Sequence, residues 1–512
     1  MTDDPTPLPP DPATPPDADW LAREELAIRR KELEVREFEA RKALTGDGKA
    51  WWQRAEPMTL AVLGAILTIV GNIVVGYFNN RATIEQEERK AANDLALETK
   101  KAQYSLILQA MATTDRKSAG ENINFFVESG LLDDANHKIR NAAAKFQPVL
   151  PSPSGASAPP LKPVEAADVA KLYNFPASLD GSGQTVGILE FGGGYDPKEI
   201  AKHFATRHRS PPSITDVAIA GGRNHSQSEA DGEVALNIEA VGAIAPAAAQ
   251  RLYFASFSVQ GWTEALHRAV ADHVSVLLIC WGKTESQWDR AELLKVDDAL
   301  EAAARSGITI VVAGGDQLAD DGVGDGRRHV NFPASSRWVL SVGGTSIRSE
   351  SGAISAESVW KDDGIPGFGS GGGVSDVFDR PAWQAAVAGP ARADGASGRA
   401  IPDVAATATS SLIVTTSGTA NLAGGTSVSA SVWAALIALT NQGLGYNVGY
   451  VTPRLYGDIG PAGVLRGVTE GDNDAPKVKG FKAGPGWNPV AGWGTPDGEK
   501  LLAWLQEHRP PQ

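Results

Sequence analysis

From residue 164 to 512 the sequence predicts an α/β domain, a parallel sheet covered by helices on both faces. Ahead of it the sequence predicts a long helical segment with one transmembrane helix. Two features carry this reading. Short apolar runs alternate with amphipathic helices throughout the second part, and strand–helix alternation is how parallel sheets are wound. Earlier in the chain stands one uncharged run, 58–78, MTLAVLGAILTIVGNIVVGYF. At about 1.5 Å per residue it can cross a hydrocarbon core of about 30 Å.

The 512 residues exceed one ordinary domain. A hydrophobic content of 42% with 21% charged residues supplies a sizeable core. The net charge of −14 argues against a nucleic-acid binder. Cys280 is the single cysteine, so no internal disulfide forms. It lies in the apolar run 274–280 and reads as a small buried hydrophobe.

Residues 1–18 are rich in proline and aspartate and read as a disordered tail without signal-peptide character. Residues 19–57 hold a charged helix. Leu21, Ile28 and Val35 repeat every seven residues, as do Leu26 and Leu33, without a clean coiled-coil seam. Self-association through the N-terminal helices stays open. Trp51, Trp52 and Tyr77 suit the interfaces of the span 58–78, which would contact membrane lipid. Basic residues Arg41, Lys42, Lys49 and Arg54 before it favour an inside N-terminus, making the chain a single-pass membrane protein with an extracytoplasmic C-terminal domain. Residues 79–146 read as a helical juxtamembrane region and 147–163 as a Pro/Ser linker.

Within 164–512, the runs 185–191, 251–254, 274–280, 308–312 and 338–342 read as strands, and 197–204 and 291–305 as helices. Residues 424–436, GGTSVSASVWAAL, place Ser427 at the start of a buried helix. The helix dipole would favour a developing alkoxide there, but a helix cap explains the serine equally well. A serine nucleophile needs a base. No histidine stands in a His-Gly-Thr context, and no Gly-x-Ser-x-Gly elbow occurs. Residues 228–246, SEADGEVALNIEAVGAIAP, read as an amphipathic helix with Glu233 and Asn237 on one face. Glu233 could be a base or a solvated surface glutamate. In 308–321, ITIVVAGGDQLADD, Asp316 follows a strand, where open α/β sheets build their sites. It could equally satisfy its own turn. Gly192–Gly194 after a strand suggest a phosphate turn, but the full GxGxxG spacing is absent.

Taken in order, several segments resemble the sedolisin family of serine-carboxyl peptidases. They are 168–196, GEVALNIEAVGAIAP, WGKTESQW at 281–288, AGGDQLADDGVGDGRRHVNFPASS at 313–336 and SVGGT at 341–345. SGGGVSDVFDRPAWQ at 370–384, GRAIPDVAA at 398–406, GGTSVSAS at 424–431 and AGPGWNPVAGWGTP at 483–496 follow. The resemblance implies a subtilisin-like fold and an endopeptidase cutting peptide or protein substrates through a serine acyl-enzyme, here anchored by the separately read membrane span 58–78. It makes Ser427 the nucleophile, Glu233 the general base and Asp316 the oxyanion donor, with Glu190 and Trp281 extending the network.

Three departures accompany it. Asn237 stands where the family has the triad aspartate, which makes a catalytically inactive binding or scaffolding module the alternative. Without a carboxylate at 237, Glu233 should feel less upward pressure on its pKa. The family's calcium carboxylates fall at Gly467 and Asn488, neither acidic, so no cofactor or metal is expected there. Glu470, Asp472 and Asp474 are the nearby acidic candidates. Residues 1–163 do not resemble the family's propeptide.

Overall fold

The computed structural model describes residues 164–509, apart from 227, 229, 363–366, 388, 410–411 and 417. The predicted tail, charged helix, membrane span 58–78, juxtamembrane region and linker lie outside the described residues. Among the described residues no helix is long and apolar enough to cross a membrane.

The strands in chain order are β1 (Thr185–Glu190), β2 (Ile214–Ile219), β3 (Ala249–Ala255), β4 (Val276–Ile279), β5 (Lys283–Thr284), β6 (Thr309–Ala313) and β7 (Asn331–Phe332). Then follow β8 (Leu340–Glu350), β9 (Ala353–Val359), β10 (Gly373–Asp379), β11 (Gly398–Ile401), β12 (Val404–Thr407), β13 (Leu412–Thr416) and β14 (Thr419–Ala423). The main helices are α1 (Ala166–Leu172), α2 (Pro197–Ala205), α3 (Asp231–Ile244), α4 (Val259–Ala271), α5 (Arg290–Arg305), α6 (Thr426–Leu444) and α7 (Gly498–Glu507).

The main sheet runs β12-β8-β6-β4-β1-β3-β2, all parallel, with β9 added antiparallel to β8. The predicted α/β class and its five strands are present, with ends shifted by a few residues. Alternate residues of each central strand enter opposite cores. Ile188, Leu278 and Val311 join α3 and α6 on one face. Leu189, Leu277 and Val312 join α4 and α5 on the other. Burial on both faces explains why β4 is apolar at every position.

Local chemistry sets the helix starts. Asp196, Ser258 and Asp289 cap α2, α4 and α5 with their side chains. The amphipathic reading of 228–246 needs correction: α3 is buried continuously from Val234 to Gly242. Its outer side is covered by α1, α6 and β13, so it has no broad solvent face.

At the edge of the apolar core, Arg399 and Asp403 are both fully buried and pair at 2.6 Å. Asp403 also accepts from the Ser341 amide at 2.8 Å and the Tyr456 hydroxyl at 2.7 Å. Breaking a buried pair leaves an uncompensated charge and costs about 3–5 kcal/mol. Asp403→Ala is therefore expected to lower unfolding stability by that amount in urea titration, whereas loss of an exposed pair such as Arg305–Glu301 changes it by under about 1 kcal/mol.

Candidate active site

Five elements bring one group each, or more, to the carboxyl edge of the sheet. Glu190 ends β1, and Cys280 and Trp281 follow β4. Asp316 follows β6 after two glycines. Helix α3 carries Glu233 and, one turn on, Asn237. Helix α6 begins with Thr426 and Ser427 and carries Ser431 a turn later. This is where open α/β sheets expose convergent side chains.

The residues form one hydrogen-bonded cluster. The Asn237 amide nitrogen donates to Glu190 Oε1 at 3.0 Å and to Glu233 Oε1 at 3.3 Å. Its carbonyl oxygen accepts from Ser431 Oγ at 3.1 Å and Cys280 Sγ at 3.3 Å. Trp281 Nε1 donates to Glu190 Oε2 at 2.8 Å. The Ser427 hydroxyl meets the Glu233 carboxyl. All six residues singled out by the sequence thus stand in one place, together with two it did not assign to the site. Cys280 is partly exposed, not a plain core residue. Ser431, four residues after Ser427 on the same helix face, was legible only as another small residue of an alanine-rich helix.

Ser427 does not cap α6. The N-cap is Gly425, with no side-chain cap bond, and the serine sits second in the first turn. Thr426 serves Asp316 instead: its amide and hydroxyl both donate to Asp316 Oδ1, at 2.8 and 2.7 Å. With Oδ1 accepting twice, a proton on this carboxyl belongs on Oδ2. The turn reading of Asp316 thus gives way to a bond across to α6.

Withdrawal from water governs the acidities. Burial pushes the Glu190 carboxyl up to about 8, with the Glu233 charge adding and Asn237 and Trp281 opposing. Burial also pushes Glu233 up to about 7; the Ser427 hydroxyl opposes this and Asp316 adds to it. Asparagine at 237 therefore leaves Glu233 high, because burial and Asp316 supply the upward pressure. Asp316 itself is raised by burial against the two Thr426 bonds. Cys280 is raised well above the usual thiol range, again by burial first.

The phosphate-turn reading of Gly192–Gly194 fails. The Gly194 amide already donates to Asp231 at 2.9 Å, and a carboxylate there repels phosphate. The residues at the family's calcium position do not fit the ion either. Gly467 has no side chain, and Asn488 turns its amide nitrogen, a donor, toward the carbonyls of Val468 and Gly484 at 3.1 Å each. Asp472 is bound to Lys361 at 3.1 Å, and Asp474 accepts from the Gly480 amide at 2.7 Å. Among the described residues no group of three metal-ligating side chains occurs.

Residues 219–454 match the Subtilase family model, Peptidase S8. Over that stretch the chain is similar to the subtilase family. It is similar to kumamolisin of Bacillus sp. (strain MN-32), 42% identical over 349 residues, covering 66% of this chain and 63% of that one. It is similar also to sedolisin of Pseudomonas sp. (strain 101), 31% identical over 376 residues, covering 67% and 63%. The chain thus spans under two thirds of these relatives' length. The solved Pseudomonas sedolisin, a serine-carboxyl proteinase complexed with two molecules of pseudo-iodotyrostatin, superposes with a TM-score of 0.62 at 25% identity, over 68% of this chain and 99% of that one. The described residues therefore have a subtilisin-like α/β architecture.

Gly425 has φ +99°, and a Cβ there would lie 2.5 Å from Asp316 Oδ2. Gly425→Ala combines left-handed strain with displacement of Asp316 and is expected to cost about 1–3 kcal/mol, read as a lower urea midpoint.

Proposed function

We propose that the domain is a sedolisin-type serine-carboxyl endopeptidase, tethered to a membrane by residues 58–78 on the extracytoplasmic side. The carrying observation is the meeting of Ser427 with Glu233 beside an Asp316 whose second oxygen is left to hold a proton. Ser427 Oγ attacks the scissile carbonyl carbon while its proton passes to Glu233. The Oδ2 proton of Asp316 hydrogen-bonds the oxygen that becomes negative. Collapse breaks the C–N bond, and the amine leaves with the proton from Glu233. Water then attacks the acyl-enzyme, Glu233 taking its proton, and the acid is released as Ser427 regains a hydrogen. Asn237 orients Glu233 throughout, and Glu190 with Trp281 holds Asn237.

A catalytically inactive binding or scaffolding module is the second reading. Asn237, in place of a carboxylate that could share a proton with Glu233, favours it. Peptide cleavage by the wild-type chain excludes this reading; cleavage appearing only in Asn237→Asp supports it.

Under the peptidase reading, Ser427→Ala loses about 10⁴-fold or more in kcat with a fluorogenic peptide. Equal rates in that variant end the reading. Removing an oxyanion donor costs about 10²–10³ in kcat, so Asp316→Ala loses that much. Asp316→Asn keeps a donor and retains most of the activity.

A base must be ionised to accept a proton. Glu233, raised to about 7, is neutral below that value and charged above it. The kcat/KM profile should therefore rise through about pH 7.

Deleting 58–78 is expected to move the chain from the carbonate-washed membrane fraction to the supernatant. Retention in the membrane would exclude the tether.

A further inference from the structure

The Asn488 side chain is 5% exposed, and every hydrogen-bonding position of its amide is used. Nδ2 donates to the carbonyls of Val468 and Gly484, both at 3.1 Å. Oδ1 accepts the amides of Ala491 at 3.0 Å and Val490 at 3.4 Å. Its main chain pairs both ways with Gly492, at 3.1 and 2.9 Å. One residue thus ties three stretches of chain: Val468, Gly484 and the turn 488–492.

Two backbone carbonyls from separate segments aimed at one point need a positive partner there. A buried, unpaired carbonyl costs free energy comparable to a lost hydrogen bond. A divalent cation could supply that charge, and would need carboxylates to neutralise it. None is present at 467 or 488. An amide nitrogen supplies two partial positive hydrogens at the same point, and its oxygen simultaneously fixes the turn. A cation placed there would face N–H groups and be repelled.

We propose that the Asn488 amide replaces a bound cation as the tie between segments 466–468, 484 and 488–492, so that the domain keeps its fold without metal. The small apolar cluster of Val359, Ala405, Val468, Val490 and Ala491 lies against this tie and depends on it for registration. The Arg466–Thr495 bridge, 2.9 Å in both directions, continues the same stitching.

The test is thermal melting of the full chain in detergent, followed by tryptophan fluorescence, in excess EDTA and in excess calcium. Wild type is expected to melt within about 1 °C in the two conditions, whereas a ligand at a hundred times its Kd shifts a domain by several degrees. Asn488→Ala and Asn488→Asp are each expected to melt several degrees lower in EDTA. The first orphans two carbonyls; the second points carboxylate oxygen at them. Gly467→Asp combined with Asn488→Asp is expected to recover its melting temperature with calcium but not with EDTA. Calcium raising the wild-type melting temperature by several degrees would overturn the proposal. So would an Asn488→Ala protein melting like wild type, or a double variant indifferent to calcium. None of these readouts depends on peptide cleavage.

Discussion

The candidate site depends on a single side-chain amide held between two buried carboxyls. Asn237 has two N–H groups and spends them on Glu190 and Glu233. Carboxylates only accept hydrogen bonds, so this orientation is the one compatible with their ionised forms. The oxygen end is claimed by Ser431 and Cys280, which can donate. The amide therefore has a defined direction at a fully buried position, and it transmits that direction to Glu233. An aspartate in the same slot would have to share protons with its neighbours; asparagine needs none. The electrostatic character of the cluster follows: three acidic groups raised by desolvation, with a neutral linker between two of them.

Packing of α3 against α6 makes the arrangement possible. Both helices cover the same face of the sheet, and the groups they carry meet only while their register holds. Apolar residues such as Val234, Ile238, Val432 and Leu436 fill the surrounding core. The sheet supplies the remaining fixed points, because Glu190, Cys280 and Asp316 sit at or just beyond the ends of three adjacent strands.

Much of this was legible beforehand, by unequal routes. Apolar run lengths and their alternation with helices gave the sheet within a few residues per strand, since parallel strands buried on both faces leave a strong signal. Spacing alone left Ser427, Glu233 and Asp316 each with an ordinary structural explanation; the ordered family motifs are what pointed to them jointly. Ser431 was hidden because a serine in an alanine-rich helix looks like packing. Cys280 was hidden because the apolar run preceding it conceals that its thiol turns to the cleft. The all-round burial of α3 was not readable because it depends on α1, α6 and β13, which are distant in sequence. The wiring of Asn488 was invisible for a similar reason: an asparagine's partners here are backbone carbonyls, whose positions no residue letter records.

The Gly315 amide donates to Thr426 Oγ1 at 3.2 Å, and that hydroxyl passes on to Asp316 Oδ1. Gly315 and Asp316 follow β6; Thr426 opens α6, 110 residues later. The short relay welds a strand end to a helix start across the cleft floor. Its geometry is set by the fold itself, so a ligand using this wall need spend little free energy on assembling it.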